Sequence, residues 1–129
     1  MNKINGLFVD VENKKMECIT IDDKLEEYYR ILKCRMIDCI TRQVKGVRCI
    51  VVCDDCGRLK EEQIPSMIGI SQKKRTCEEI IMGNIFVCKS DGNGNFVSLT
   101  DKEIKKILSS RTYIGEILDL HPVLVSSFL

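Results

Sequence analysis

The chain has 129 residues, 44% hydrophobic and 30% charged, which suits one folded domain with its own core and excludes a disordered polymer. Twenty Lys and Arg stand against nineteen Asp and Glu, so the formal charge of +1 lacks the basic excess of a nucleic-acid binder. No run approaches the roughly 18 to 20 apolar residues of a membrane span, and Met1–Asp10 carries no long apolar signal segment; a cytoplasmic protein with no membrane partner is expected.

Residues 4–11 alternate apolar and polar with β-branched content, predicting a first strand, and Met16–Ile21 predicts a second. The polar Glu12–Lys15 between them suits a hairpin turn. At Asp22-Asp23 the period changes. Leu25, Tyr28, Tyr29 and Leu32 share one helical face, and Glu26 follows Asp23 by three, which predicts a helix over Asp23–Leu32 capped by Asp23. Its tyrosines coincide with the apolar face and read as packing at the core's edge.

Arg35–Arg42 reads as a third strand, Gly46 as a turn residue, and Val47–Gly57 as a fourth strand with its exit. On that fourth strand Cys49, Val51 and Cys53 share one face while Ile50 and Val52 share the other. Two apolar faces predict a central strand covered on both sides. Residues 58–80, interrupted by Pro65, read as a long irregular connection and hence as a candidate site. Within it, Lys73-Lys74-Arg75 is answered by Glu78-Glu79 and suits a solvated loop.

Ile80–Cys88 predicts a fifth strand, Asp91–Asn95 a hairpin turn, and Phe96–Leu99 a short sixth strand. Thr100-Asp101-Lys102-Glu103 is a capping box opening a second helix, with Ile104, Ile107 and Leu108 turned inward. In the tail, Ile114, Ile117, Leu118 and Leu120 suit a helical turn, and Val123–Leu129 a strand or apolar terminal segment. So apolar a tail, residues 111–129, must return to the sheet or meet another copy, a possible homodimer contact. The expectation is one α+β domain over residues 1–129: a mainly antiparallel mixed sheet of about five or six strands with two short helices.

Eight cysteines in a cytoplasmic chain suit reduced, mostly buried thiols. The close pair, Cys53 and Cys56, lacks a second pair or a histidine motif to close a zinc site, and it ends a strand rather than opening the helix that a redox pair uses. No metal and no cofactor are expected. Catalytic signatures are absent from the sequence: it has no nucleophile elbow, Walker loop or His-Glu-x-x-His, and its single histidine cannot serve a histidine triad. Gly92 and Gly94 suit a plain hairpin turn, because phosphate loops lead into helix N-termini. A binding protein rather than an enzyme is expected.

The segments Cys53-Asp54-Asp55-Cys56-Gly57-Arg58-Leu59-Lys60, Gly83-Asn84-Ile85-Phe86 and Ser98-Leu99-Thr100-Asp101, with the elements around them, resemble an uncharacterised family of small bacteriophage proteins also found in prophages of Gram-positive bacteria. The resemblance covers roughly residues 4 to 108 and leaves the tail outside. In that family a Glu commonly occupies the position of Cys56, which argues against a metal or redox role for the pair. It implies a counter-defence factor in the host cell's cytoplasm, sequestering a small anionic immune signal of the cyclic-nucleotide type, or else a protein inhibitor of a host immune effector such as a CRISPR nuclease. For the ligand, the candidate residues around the central strand and its exit are Arg42, Arg48, Asp54, Asp55, Gly57, Arg58, Lys60 and Asn84.

Overall fold

The computed structural model describes residues 2–54, 64–71 and 73–128. Its elements run β1 (Lys3–Asp10), β2 (Lys15–Asp22), α1 (Leu25–Leu32), β3 (Ile37–Val44), β4 (Val47–Asp54), β5 (Pro65–Ser71), β6 (Cys77–Met82), β7 (Ile85–Ser90), β8 (Phe96–Val97), α2 (Asp101–Leu108), β9 (Thr112–Glu116) and β10 (Asp119–Phe128). One sheet of ten strands follows the order β2-β1-β7-β4-β3-β10-β5-β6, with β8 beside β7 and β9 beside β10. All pairings are antiparallel except β10 with β5. Among the described residues the class is mixed α+β with two helices, but ten strands replace the expected five or six.

The additional strands have local causes. Pro65 opens β5 instead of interrupting a loop, because a first strand residue can do without its N–H. The apolar run from Ile80 to Cys88 is divided at Gly83, whose φ of 82° turns the chain, into β6 and β7. The tail is a hairpin rather than a helical turn: β9 pairs with β10, which then continues along β5 with Val123 and Leu124 fully buried. At the hairpin's tip, Ile117 and Leu118 are 90% and 98% exposed.

The sheet curls. Along the sheet, β6 and β7 are five inter-strand steps apart, about 24 Å if flat. Yet the chain from Met82 to Ile85 can span at most about 11 Å. An ion pair crosses the curl: Arg42 of β3 grips Glu79 of β6 with both ends of its guanidinium, Nε donating to Oε1 at 2.7 Å and a terminal nitrogen to Oε2. Both side chains are about a quarter exposed, so part of the attraction is screened. Glu79→Gln is expected to cost about 1–2 kcal/mol. The apolar double change Arg42→Met/Glu79→Leu should cost less than the two single changes together, as urea denaturation would show.

Two cores flank the sheet. On one face, Ile104 and Ile107 of α2 meet Leu7, Val9, Val44, Cys49, Val51, Met67, Val87 and Leu124. On the other, Tyr28, Ile31 and Leu32 of α1 meet Ile4, Phe8, Val52, Phe86 and Cys88. The predicted central strand is β4, held between β3 and β7. Lys45 and Gly46, both at positive φ, form the turn that leads into it.

The helix starts differ from each other. Thr100 and Glu103 complete the predicted capping box on α2. For α1, Lys24 stands at the N-cap without a side-chain bond, and Asp23 instead accepts from the buried Tyr28 hydroxyl at 3.0 Å. The expected Asp23–Glu26 cap is therefore absent, and Leu25 is exposed rather than inward. A carboxylate aimed back at Tyr28 satisfies a buried hydroxyl, which would otherwise be costly.

Candidate functional site

The described candidate residues do not converge. Arg42 and Arg48 stand on opposite faces, since Arg42 faces Cys49 on the α2 side while Arg48 faces Gln43 on the α1 side. Arg42 is already committed to Glu79. Asp54 ends β4, six residues or about 20 Å from Arg48. Because Cys53 pairs with Ile85, Asn84 lies at Asp54's end of the sheet. Asn84 is buried and its amide is engaged within the fold: it accepts from Val11 N–H at 3.0 Å and donates to the Ile31 carbonyl at 3.2 Å. Asp55, Gly57, Arg58 and Lys60 lie outside the described residues, as does Cys56.

Around Arg48 there is a pocket of about 480 Å³, lined by Thr41, Arg48, Cys49, Ile50, Ser90, Asp91 and Gly92. Register assembles it: Thr41 faces Ile50 across β3 and β4, and Ile50 faces Cys88 across β4 and β7, bringing the end of β7 beside Arg48. The predicted turn at Asp91–Asn95 closes one side. Asp91 accepts the backbone N–H groups of Asn93 and Asn95 at 2.7 and 3.2 Å and the Asn95 side-chain amide at 3.0 Å. The Asn95 amide, helped by the Asn93 N–H, holds this carboxyl below its ordinary range.

Arg48 is exposed, and among the described residues it makes no ion pair. Ser90 Oγ accepts from Gly92 N–H at 3.1 Å, which leaves its own proton to donate. One cation and the Thr41 and Ser90 hydroxyls thus rim a cleft floored by Ile50. Thr41, Ser90 and Gly92 could not be nominated from the sequence, whose local pattern does not encode cross-strand register. Another cavity, of about 520 Å³, lies between the β3–β4 turn and β10. Its buried Ser110 and Ser126 donate to the Ile107 and Ile68 carbonyls, so these hydroxyl protons are already used.

Burial keeps two of the described cysteines unreactive. Among the described residues all seven are free thiols, and only Cys49, Cys53 and Cys88 are buried, so the expectation of mostly buried thiols is corrected. Exposed strand positions, as at Cys18 and Cys77, tolerate a small thiol as well as the core does. Burial pushes Cys49 and Cys88 up to about 12, leaving them protonated near neutrality and poor nucleophiles. Among the described residues no group of three His, Cys, Asp or Glu side chains could hold a metal ion, and no helix is long and apolar enough to cross a membrane.

Comparison with known proteins gives one match: the family model described as Domain of unknown function (DUF3846) covers residues 4–111. No curated protein and no solved structure matches.

Proposed function

The chain belongs to the DUF3846 family, and on that premise we propose that it acts by binding, sequestering a small anionic ligand of the cyclic-nucleotide type in the Arg48 pocket. The observation that carries this reading is Arg48: an exposed guanidinium without an ion pair among the described residues, beside two hydroxyls able to donate. A planar guanidinium binds phosphate oxygens bidentately, and the cleft lies within the size range of small-ligand sites. The setting, removal of an immune signal by a phage or prophage counter-defence factor in the host cytoplasm, rests on the resemblance and belongs to the same proposal. No residue of the pocket is assigned to bond making or breaking.

Differential scanning fluorimetry against a panel of cyclic mono- and dinucleotides tests it. A ligand that binds only the native state raises the melting temperature. At least one member should do so, and Arg48→Ala should weaken its binding about tenfold or more while leaving the unliganded melting temperature nearly unchanged, as expected of an exposed side chain. Flat curves across the panel overturn the reading. A stoichiometric complex with a host protein in their place would redirect it to inhibition of an immune effector.

A further inference from the structure

We infer that the Arg48 pocket reads a singly charged phosphodiester and not the nucleobase attached to it, an inference that rests on the binding function proposed above. The first ground is charge. Arg48 is the single cation among the described residues that line the cleft, and Asp91 stands on the same wall. Asp91's hydrogen bonds are directed into its own turn, but its negative charge remains in the cleft. A monoanionic diester places its one charge against one guanidinium. A nucleoside triphosphate brings further charges that no described lining cation meets and that Asp91 repels.

The second ground is donor count. The two non-bridging oxygens of a phosphodiester can be met by the guanidinium fork and by the Thr41 and Ser90 hydroxyls, the latter free to donate because Ser90 Oγ already accepts from Gly92. The third is what the described wall lacks. None of its side chains is an aromatic ring on which a base could stack, and none is an Asn or Gln able to read a base edge. Asp91, the one carboxylate present, already accepts three N–H bonds. Sites that discriminate strongly do so by hydrogen-bonding a feature of the correct ligand, leaving buried groups unpaired with the wrong one. Here Ile50 supplies an apolar floor and no such test.

Isothermal titration of the full chain with 3′,5′-cyclic AMP, GMP, CMP and UMP, and with the four matching triphosphates, decides this. The cyclic nucleotides should bind within about threefold of one another, and each triphosphate at least about tenfold more weakly than its cyclic partner. Arg48→Lys keeps the charge but loses the fork and should weaken all four cyclic nucleotides by a similar factor. A preference of more than about tenfold for one base, or triphosphates binding as tightly as cyclic nucleotides, overturns the inference while the binding function stands. Absence of any binding here, when the protein melts cooperatively, overturns the inference, and together with flat curves across the cyclic mono- and dinucleotide panel it overturns the binding function as well.

Discussion

Gly6→Ala is expected to lower the melting temperature by roughly 10 °C, a loss of about 3 kcal/mol. Gly6 is buried in β1 between Ile4 and Phe8, on the face covered by α1. A Cβ there would lie 2.4 Å from the Phe86 ring and 2.5 Å from the Val87 carbonyl oxygen, closer than such atoms approach one another. The ring has nowhere to go. Phe86 is fully buried and meets Tyr28 edge-on at 6.0 Å, and Tyr28 in turn meets Phe96 at 5.6 Å, so moving one ring displaces the others. The carbonyl belongs to β7, whose Val87 is paired with both Leu7 and Val51, so relief at that contact requires central strands to separate.

A double change separates the two contacts. Phe86→Leu in the Gly6→Ala background shortens the side chain opposing the new methyl but leaves the Val87 oxygen in place. It should recover less than half of the lost stability, allowing for Phe86→Leu's own cost, measured as a coupling in urea denaturation. A Gly6→Ala melting temperature within about 2 °C of the parent would contradict the close packing described for β1 and β7.

This contact also marks where the fold was legible in the sequence. Gly6 reads as one small residue in an alternating strand, since nothing local places Phe86 above it. Features set by local chemistry were readable: the β1–β2 hairpin, Gly46 at a positive-φ turn, the Thr100–Glu103 box, and the two apolar faces that made β4 central. Features set by long-range pairing were not. Ile80–Cys88 reads as one mostly apolar run with Gly83-Asn84 inside it, and only the curl, with β6 at the end of the pairing order and β7 in its middle, requires a break there.

The candidate site divides in the same way. Nominating Arg48 needed only a cationic residue on the central strand. Grouping it with Arg42 ignored the alternation that sends residues of adjacent rows to opposite faces across a hairpin. Thr41 and Ser90 join Arg48 through the register of three strands, of which the paired β4 and β7 are separated by residues 55–84 of the chain. Their nomination therefore had to wait for the sheet.

Asn84→Ala is the second change with a large expected effect, about 2–4 kcal/mol. Asn84 follows Gly83 at the junction of β6 and β7, and its position among phosphate-binding candidates rested on its amide alone. In the structure that amide is an internal tie. Its oxygen takes the Val11 N–H at the end of β1, and its nitrogen serves the Ile31 carbonyl near the C-terminal end of α1, where helix carbonyls lack intrahelical partners. Removing it leaves both backbone groups without this partner in a site where Asn84 itself is buried. Asn84→Asp keeps the acceptor for Val11 but turns a second oxygen toward the Ile31 carbonyl, so near neutral pH it should destabilise at least as much as alanine. Hydrogen exchange gives the sharper test: in Asn84→Ala the Val11 amide and the last turn of α1 should lose protection before the β4 amides do. Uniform loss across the sheet would mean that Asn84 does not tie β1 to the helix, and unchanged protection together with intact ligand affinity would mean that the tie carries little of the fold's stability.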